Sequence, residues 1–303
     1  MKAAVYERYG DPEVLHLVDD FPKPSINASQ ILVKVIAASV NSGDGRIRGL
    51  QVEGVARLAM RTMMGWSAPK NPILGTVFAG VVEAIGESVT EVEVGQAIVG
   101  SLGMKTGTYA EYVVLESDGI YTTIPKNLSF NEAAAIPFGG LTALSFMTGY
   151  RMPQNAPVMV YGAGGAVGTA AIQVAKNLGY RVTAVARERH HNIATTLGAD
   201  YCLDYTKDEF QEDTHRYALI FDCVGVLDKK DVENKLNPGG HFASVGGMKV
   251  AKETKEHLEV LMSWVKDCHY QAVIDRVYPI EDIVTAHEYL DTKQKQGNIV
   301  VEL

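Results

Sequence analysis

Residues 161–168 read Tyr161-Gly162-Ala163-Gly164-Gly165-Ala166-Val167-Gly168, and the fold turns on what flanks them. Before them runs Pro157 to Tyr161 (PVMVY), a strand signal. After them Val167, Ala170, Ala171, Val174 and Leu178 recur at helical spacing and stop at Gly179. A glycine-rich turn between a strand and a helix supplies what a dinucleotide pyrophosphate needs. It offers backbone N–H groups at a helix N-terminus, a tight turn free of Cβ atoms, and a small residue where helix and strand pack. Ala163, Gly165 and Gly168 hold the three positions of the G-x-G-x-x-G spacing, with alanine in the first, and Gly164, Ala166 and Val167 complete the candidate cofactor turn. A purely structural glycine turn competes with this reading, and the strand–turn–helix setting favours the cofactor.

Outward from the turn, strands alternate with helices. Further strands are predicted at Arg181 to Ala186, Tyr217 to Asp222 and His241 to Val245, a rhythm of βαβ units that points to a parallel sheet. Ser129 and Glu132 form a capping-box signature ahead of one apolar helical run, Ala133 to Met147. Upstream of about residue 125 the pattern differs. Ile31 to Val40, Val77 to Ile85, Ala97 to Val99 and Tyr109 to Leu115 are short β-branched or aromatic runs punctuated by turn residues, as in a small barrel or sandwich. The tail returns to a strand (Ala272 to Val277), a helix opened by Pro279, and a last strand, Asn298 to Leu303. The reading is therefore an α/β chain of two domains, residues 1–125 with 271–303, and residues 126–270.

Composition narrows the function. The 303 residues are 47% hydrophobic and 21% charged, with 29 glycines, so a folded core is expected rather than disorder. A formal net charge of -8 opposes nonspecific attraction to nucleic acid or anionic membranes. Three cysteines, Cys202, Cys223 and Cys268, lack the close spacing of zinc or redox motifs and suit a reducing compartment. The opening Met1-Lys2-Ala3-Ala4-Val5-Tyr6 carries no long apolar segment, so a cytoplasmic protein is expected. One basic spot stands out, where the strand after the glycine turn ends in Arg187-Glu188-Arg189-His190. An acid at that point would hydrogen-bond the ribose of NAD, whereas Arg187 and Arg189 favour the 2′-phosphate of NADPH. The competing reading makes them decoration on a solvated helix start.

Motifs spread along almost the whole chain carry a family resemblance. In order they are Val40-Asn41-Ser42-Gly43-Asp44 with Arg48-Gly49, Gly75 to Gly86, Gly107 to Tyr112, the glycine turn, Leu197-Gly198-Ala199-Asp200 with Asp204-Tyr205, Phe221 to Gly225, Asn237-Pro238-Gly239-Gly240, and Gly297-Asn298-Ile299-Val300. The set resembles the zinc-free medium-chain dehydrogenase/reductases, in the quinone oxidoreductase (zeta-crystallin-like) branch. The resemblance implies a GroES-like β-barrel catalytic domain with an inserted Rossmann doubly wound parallel-sheet domain. It further implies an oxidoreductase that uses NADPH on a small hydrophobic acceptor, and a homodimer joined through strands near His241 to Val250. Thr142 resembles the threonine that packs by the nicotinamide, with a plain helix-interior threonine as the competing reading, and Tyr205 resembles residues near the adenosine, where stacking competes with simple edge packing. Val224, Asn298 and the stretch Val245-Gly246-Gly247 take cofactor-binding positions, and Tyr109 a place in the substrate pocket.

Asn41 stands where zinc-dependent relatives carry a cysteine ligand, and Thr76-Val77 where they carry His-Glu, so no metal is expected. His190-His191 is adjacent rather than one helical turn apart and reads as a surface pair. Without a Lewis acid, alcohol oxidation is disfavoured, whereas hydride addition to a quinone or a conjugated carbonyl delocalises the charge. Asn41 is the candidate amide donor to the acceptor oxygen or to the ribose or nicotinamide region of the cofactor, with a structural turn cap as the competing reading, and Asp44 is expected to order its loop and pair with Arg48. Met60, Met63, Met64 and Trp66 would line a pocket for varied hydrophobic acceptors, or else form an amphipathic cover for the barrel. Two other functions share these features: an NADPH-binding redox sensor or structural protein with little turnover, and an enoyl-thioester reductase.

Overall fold

The computed structural model describes residues 1–50, 54–246 and 250–303, which leaves Gly247 of the expected cofactor set outside the described residues. Residues 1–138 carry strands β1 (Ala3–Val5), β2 (His16–Val18), β3 (Gln30–Val40), β4 (Val77–Ile85), β5 (Ala97–Ser101), β6 (Tyr112–Glu116) and β7 (Ile120–Thr123). Helices α1 (Ser42–Gly49) and α2 (Gly54–Met64) follow β3, and α3 (Phe130–Ala134) and α4 (Pro137–Met147) follow β7. Next come β8 (Pro157–Tyr161), α5 (Ala166–Asn177), β9 (Arg181–Val185), α6 (His191–Thr196), β10 (Tyr201–Leu203) and α7 (Glu209–Glu212). The chain continues through β11 (Tyr217–Asp222), α8 (Lys229–Val232), β12 (Leu236–Ser244) and α9 (Lys255–Lys266), and closes with β13 (Ile274–Pro279), α10 (Ile283–Asp291) and β14 (Asn298–Glu302). Two compact units result, Met1–Phe138 with Ile274–Leu303, and Gly139–Val273.

The first unit is built on β3. This strand pairs antiparallel with β4, shares its first half with β6 and gives its last four residues, Ala37–Val40, to β14. The seven-stranded sheet runs β13-β14-β3-β4-β5-β7, with β6 on β3. Its core gathers Ile31, Val33, Phe78, Ile98, Ile299 and Val301, none more than 1% exposed. Burial of that apolar surface is the main drive for this unit. The region read as all β also holds α1, and α2 is the amphipathic helix weighed for the methionine stretch. The cause of α1 is a capping box: Asn41 accepts from the Gly43 and Asp44 amides while the Asp44 side chain accepts from the Asn41 amide. The single run expected from Ala133 to Met147 is two helices, α3 and α4. The capping box at Ser129 and Glu132 is present on α3, and Pro137 interrupts the run because the residue before a proline avoids helical geometry. Residues 126–138 belong to this unit, since α3 packs on β3, β4 and β14 and Asn131 donates to Glu302 at 2.6 Å.

The second unit is a five-stranded parallel sheet in the order β10-β9-β8-β11-β12. Val158, Met159 and Val160 of β8 are all 0% exposed, the mark of a strand covered on both faces. Helix α5 is buried from Ala166 to Ala175. Strand β10 was not predicted; three residues are too few for a period to show. Residues 271–273 fall in this unit rather than the first, because Gln173 bonds the backbone of Gln271 in both directions, at 2.8 and 3.1 Å. No described helix is long and apolar enough to cross a membrane.

Candidate cofactor crevice and active site

From β8 the chain moves to β9 and β10 on one side, then returns to β11 and β12 on the other. The strand order therefore reverses between β8 and β11, and in open parallel sheets ligands bind at such a switch point, outside the carboxyl ends of the strands. The glycine turn lies at that end of β8. Gly162 has φ +80, and a Cβ on it would sit 2.2 Å from the Val224 Cγ2 atom, so only glycine fits. The left-handed turn thus falls on Gly162 rather than on Ala163. The N–H groups of both residues donate to the Val185 carbonyl, at 2.9 and 3.1 Å. Gly165 is the N-cap of α5 and no side chain caps that helix. The amides of Ala166, Val167 and Gly168 in its first turn consequently lack helical acceptors and bring the positive end of the helix dipole with them. A Cβ on Gly168 would meet the Gly162 carbonyl at 2.2 Å, which is the close helix–strand approach this position requires.

Across the switch point Asp222 is fully buried and holds the opposite wall. Its carboxylate accepts from the amides of Val224 (3.0 Å), Gly225 (2.9 Å) and Leu227 (2.9 Å) and from the Ser244 hydroxyl (2.9 Å). Val245 donates its amide to the Asp222 carbonyl, and exposed Gly246 donates to Ser244 Oγ. At the end of β9 Arg187 is exposed, and its Nε donates to the Tyr205 hydroxyl at 2.9 Å. The Tyr205 ring lies tilted against Tyr161, centroids 5.8 Å apart. Arg189 donates to His190, which is buried against Gly164 rather than lying on the surface. The nearby acids already have partners. Asp204 accepts from the hydroxyl and amide of Thr206, both at 2.7 Å, and from the Glu188 amide at 3.0 Å, contacts that hold its carboxyl below the usual range. Glu188 itself pairs with Lys207.

In the first unit, β3 ends in a buried polar cluster. Asn41 is 1% exposed; its Oδ1 accepts from the amides of Gly43 (2.8 Å) and Asp44 (3.1 Å), and its Nδ2 donates to Thr76 Oγ1 at 3.2 Å. The Asn41 amide (3.1 Å) and the Tyr109 hydroxyl (2.8 Å) both donate to Asp44 Oδ2, and the Thr76 hydroxyl reaches Asp44 Oδ1 at 3.4 Å. Burial pushes the Asp44 carboxyl up to about 7, against these hydrogen bonds, which pull it down. The expected pairing of Asp44 with Arg48 is not made. Arg48, itself fully buried, binds Asp291, donates to His287 Nδ1 at 2.7 Å and reaches the Gly10 carbonyl. Burial and the Arg48 charge take His287 down to about 3, so its ring stays neutral. The two positions where zinc-dependent relatives place ligands are bonded to each other. Asn41 Oδ1 is occupied by two amides, so an amide and a hydroxyl engaged in this way do not fit a zinc ion. Among the described residues no group of three His, Cys, Asp or Glu could hold a metal.

The same unit contains a pocket of about 290 Å³ lined by Tyr6, Met63, Met64 and Met104, with Lys70 and Lys105 among its walls. Of the methionine stretch, Met63 and Met64 line it, whereas Met60 does not. Trp66 lies outside it as well, 58% exposed beside the Arg61 guanidinium. Tyr109 is 0% exposed, its hydroxyl spent on Asp44, and cannot line an open pocket.

Comparison with known proteins agrees with this architecture. Residues 27–126 match the model of the alcohol dehydrogenase GroES-like domain and residues 166–278 that of the zinc-binding dehydrogenase. A chloroplastic NADPH-dependent alkenal/one oxidoreductase of Arabidopsis thaliana is 27% identical, over 99% of this chain and 79% of its own. A quinone oxidoreductase of Sus scrofa is 27% identical over 95% of this chain and 93% of its own. The structure of the quinone oxidoreductase from Coxiella burnetii superposes with a TM-score of 0.85 at 28% identity, covering 100% of this chain and 99% of that one. This chain is a medium-chain dehydrogenase/reductase of the quinone oxidoreductase branch.

In this medium-chain dehydrogenase/reductase the structure gathers Ala166, Val167, Gly168, Val224, Val245 and Gly246 around one switch point, with Arg187 and Tyr205 bonded together at the end of β9. Thr142, 8% exposed, lies on α4, and Asn298, 5% exposed, opens β14 in the other unit. The motif reading passed over Gly162, Asp222 and the place of Thr76 in the Asn41 cluster. A signal for Asp222 was present, an acid ending an otherwise apolar strand, Tyr217–Asp222.

Proposed function

We propose that this oxidoreductase uses NADPH to reduce α,β-unsaturated carbonyls and quinones, without zinc. The observation that carries the reaction class is the hydrogen bond from Asn41 to Thr76, which occupies the positions where a zinc site would need ligands. Lacking a Lewis acid, the site suits acceptors that spread the incoming charge over a conjugated system. The amides of Ala166, Val167 and Gly168 would hold the pyrophosphate and Arg187 the 2′-phosphate. Ala163 to Gly165 shape that turn, Tyr205 packs by the adenosine, and Val224, Val245 and Gly246 flank the crevice. Thr142 and Asn298 are further proposed contacts, and Arg189 adds positive charge. NADPH, when bound, supplies the hydride. Asn41 holds the Thr76 hydroxyl in place beside the acceptor, and Met63, Met64 and Met104 offer adaptable apolar walls.

The relatives named for alkenal/one and quinone reduction support this reading. Asp204, turned inward on Thr206, supports NADPH over NADH. The protein is further proposed to be cytoplasmic and to dimerise through β12, an edge strand of its sheet. The test follows NADPH oxidation across a panel of quinones, enals and enones. Sustained turnover is expected. Tight NADPH binding without turnover would turn the reading into a sensor, and turnover confined to CoA thioesters would make it an enoyl-thioester reductase.

A further inference from the structure

We infer that Asp44 stores the proton that completes carbonyl-conjugated reduction and that the Thr76 hydroxyl hands it to the acceptor carbon, an inference that rests on the reductase reading above. The two Asp44 oxygens have different surroundings. Oδ2 already accepts from the Asn41 amide at 3.1 Å and the Tyr109 hydroxyl at 2.8 Å, so an added proton there would face two donors. Among the described residues Oδ1 accepts only from the Thr76 hydroxyl, at 3.4 Å, a donor that can turn its proton elsewhere, so an added proton takes Oδ1 and the direction of that bond reverses. Thr76 Oγ1 also accepts from Asn41 Nδ2 at 3.2 Å. A hydroxyl has one proton and two lone pairs. Once Asp44 is protonated, it and Asn41 both donate to Thr76 Oγ1, and the Thr76 proton is directed out of the cluster. Thr76 is the least buried member, 7% exposed against 1% for Asn41 and 0% for Asp44 and Tyr109.

The charges around Asp44 allow it to store a proton near neutrality. The phenols of Tyr109 and Tyr6 face it, from the loop after β5 and the segment after β1. Arg48, one turn along α1, commits its guanidinium to Asp291 and to His287 of α10, which is neutral. Among the described residues no cation bonds the carboxyl, and burial brings it to about 7. Once the acceptor carries the added hydride on its β-carbon, the remaining electron pair forms a bond from the α-carbon to the Thr76 hydroxyl proton. The Asp44 Oδ1–H bond breaks to restore the Thr76 hydroxyl, and the carboxylate regains a proton from solvent. A quinone needs protons on oxygen alone, which water can supply.

Two measurements test the relay. Isotope-edited infrared spectra of the protein without cofactor, labelled at aspartate, should show at neutral pH a carboxylic acid band that is absent in Asp44→Asn and shifted in Thr76→Val. For turnover, an α-methyl enone is reduced in D2O. The wild type should set one configuration at the α-carbon, with kcat/KM falling above pH of about 7. Thr76→Val should lose both the stereochemical preference and the pH limb, lower the ratio of enone to quinone turnover by about a hundredfold, and bind NADPH as tightly as the wild type. Thr76→Ser should restore the stereochemistry. Should Asp44→Asn fail to fold, Thr76→Val still decides. A wild type that reduces no acceptor overturns the reductase reading. Wild-type turnover with Thr76→Val unchanged in configuration and pH profile, or a spectrum without the acid band, overturns the relay alone.

Discussion

Arg187 is the side chain proposed to decide between two cofactors. Its Nε is committed to Tyr205, which orients the guanidinium at the end of β9. Removing it by Arg187→Ala should weaken NADPH by roughly 1.5–3 kcal/mol, the worth of a hydrogen bond to a charged group, and leave NADH nearly untouched. Equal losses in fluorescence titrations with both cofactors would contradict the assignment. Asp44 and His287 make a second residue-scale prediction, because they oppose each other in acid. His287 is lowered from 6.5 to about 3, so the unfolded chain binds its proton first, and stability is full above pH 6.5 and lost below it. Asp44 is raised from 3.8 to about 7, so the folded chain binds its proton first, and its contribution is full below pH 3.8 and lost as pH rises to about 7. Each acts at about 1.4 kcal/mol per pH unit inside its window, and the windows overlap. Wild-type urea midpoints should therefore respond less to acidification between pH 6.5 and 4.5 than those of Asp44→Asn, which should fall. That Asn41 stands in a turn motif was legible, whereas its capping of α1 and the partner of Arg48 were not. Spacing suggested Asp44, four residues away; burial assigned Arg48 to Asp291 and His287, distant in sequence and brought near by α10.

At the scale of elements, the glycine turn and the methionine helix each make a prediction. Gly162→Ala forces a side chain into a left-handed backbone and against Val224, a strain of about 1–3 kcal/mol. Its melting temperature should drop, and NADPH affinity should fall with it as the turn shifts; unchanged melting would show that the turn tolerates a Cβ. For the pocket that the end of α2 lines, Met64→Ala on α2 and Met104→Ala in the loop after β5 should alter KM across a panel of acceptors while leaving NADPH affinity alone. Trp66→Ala should alter neither, since Trp66 is exposed outside the pocket. A large shift in acceptor preference from Trp66→Ala alone would relocate the acceptor site. The strands β8 and β11 were readable to the residue, because a doubly covered parallel strand is a continuous apolar run bounded by turn residues. What escaped was of other kinds: β10 is too short for periodicity, and α1 arises from a capping box among glycines, without an apolar stripe.

For the molecule as a whole, elemental analysis of purified protein should find no stoichiometric zinc, and chelation should leave activity unchanged. One tightly bound zinc per chain would overturn the metal-free reading. The two-part composition was legible from the change of rhythm near residue 129 and from the return to strands in the tail. The boundaries were less so, since they depend on contacts such as Asn131 with Glu302 and Gln173 with Gln271. The pairing of β14 with β3 bears on how the chain is made. Residues 37–40 of β3 find their partners in residues 299–302, about 260 positions later. During synthesis the N–H and C=O groups of that stretch that face β14 must wait unpaired until β14 has left the ribosome, even after Ala37 and Ala38 have paired with β4. The residues of the second unit, by contrast, lie in one uninterrupted stretch, 139–273, all translated before β14. The interval between them is the period in which a nascent chain most needs a chaperone over that open edge.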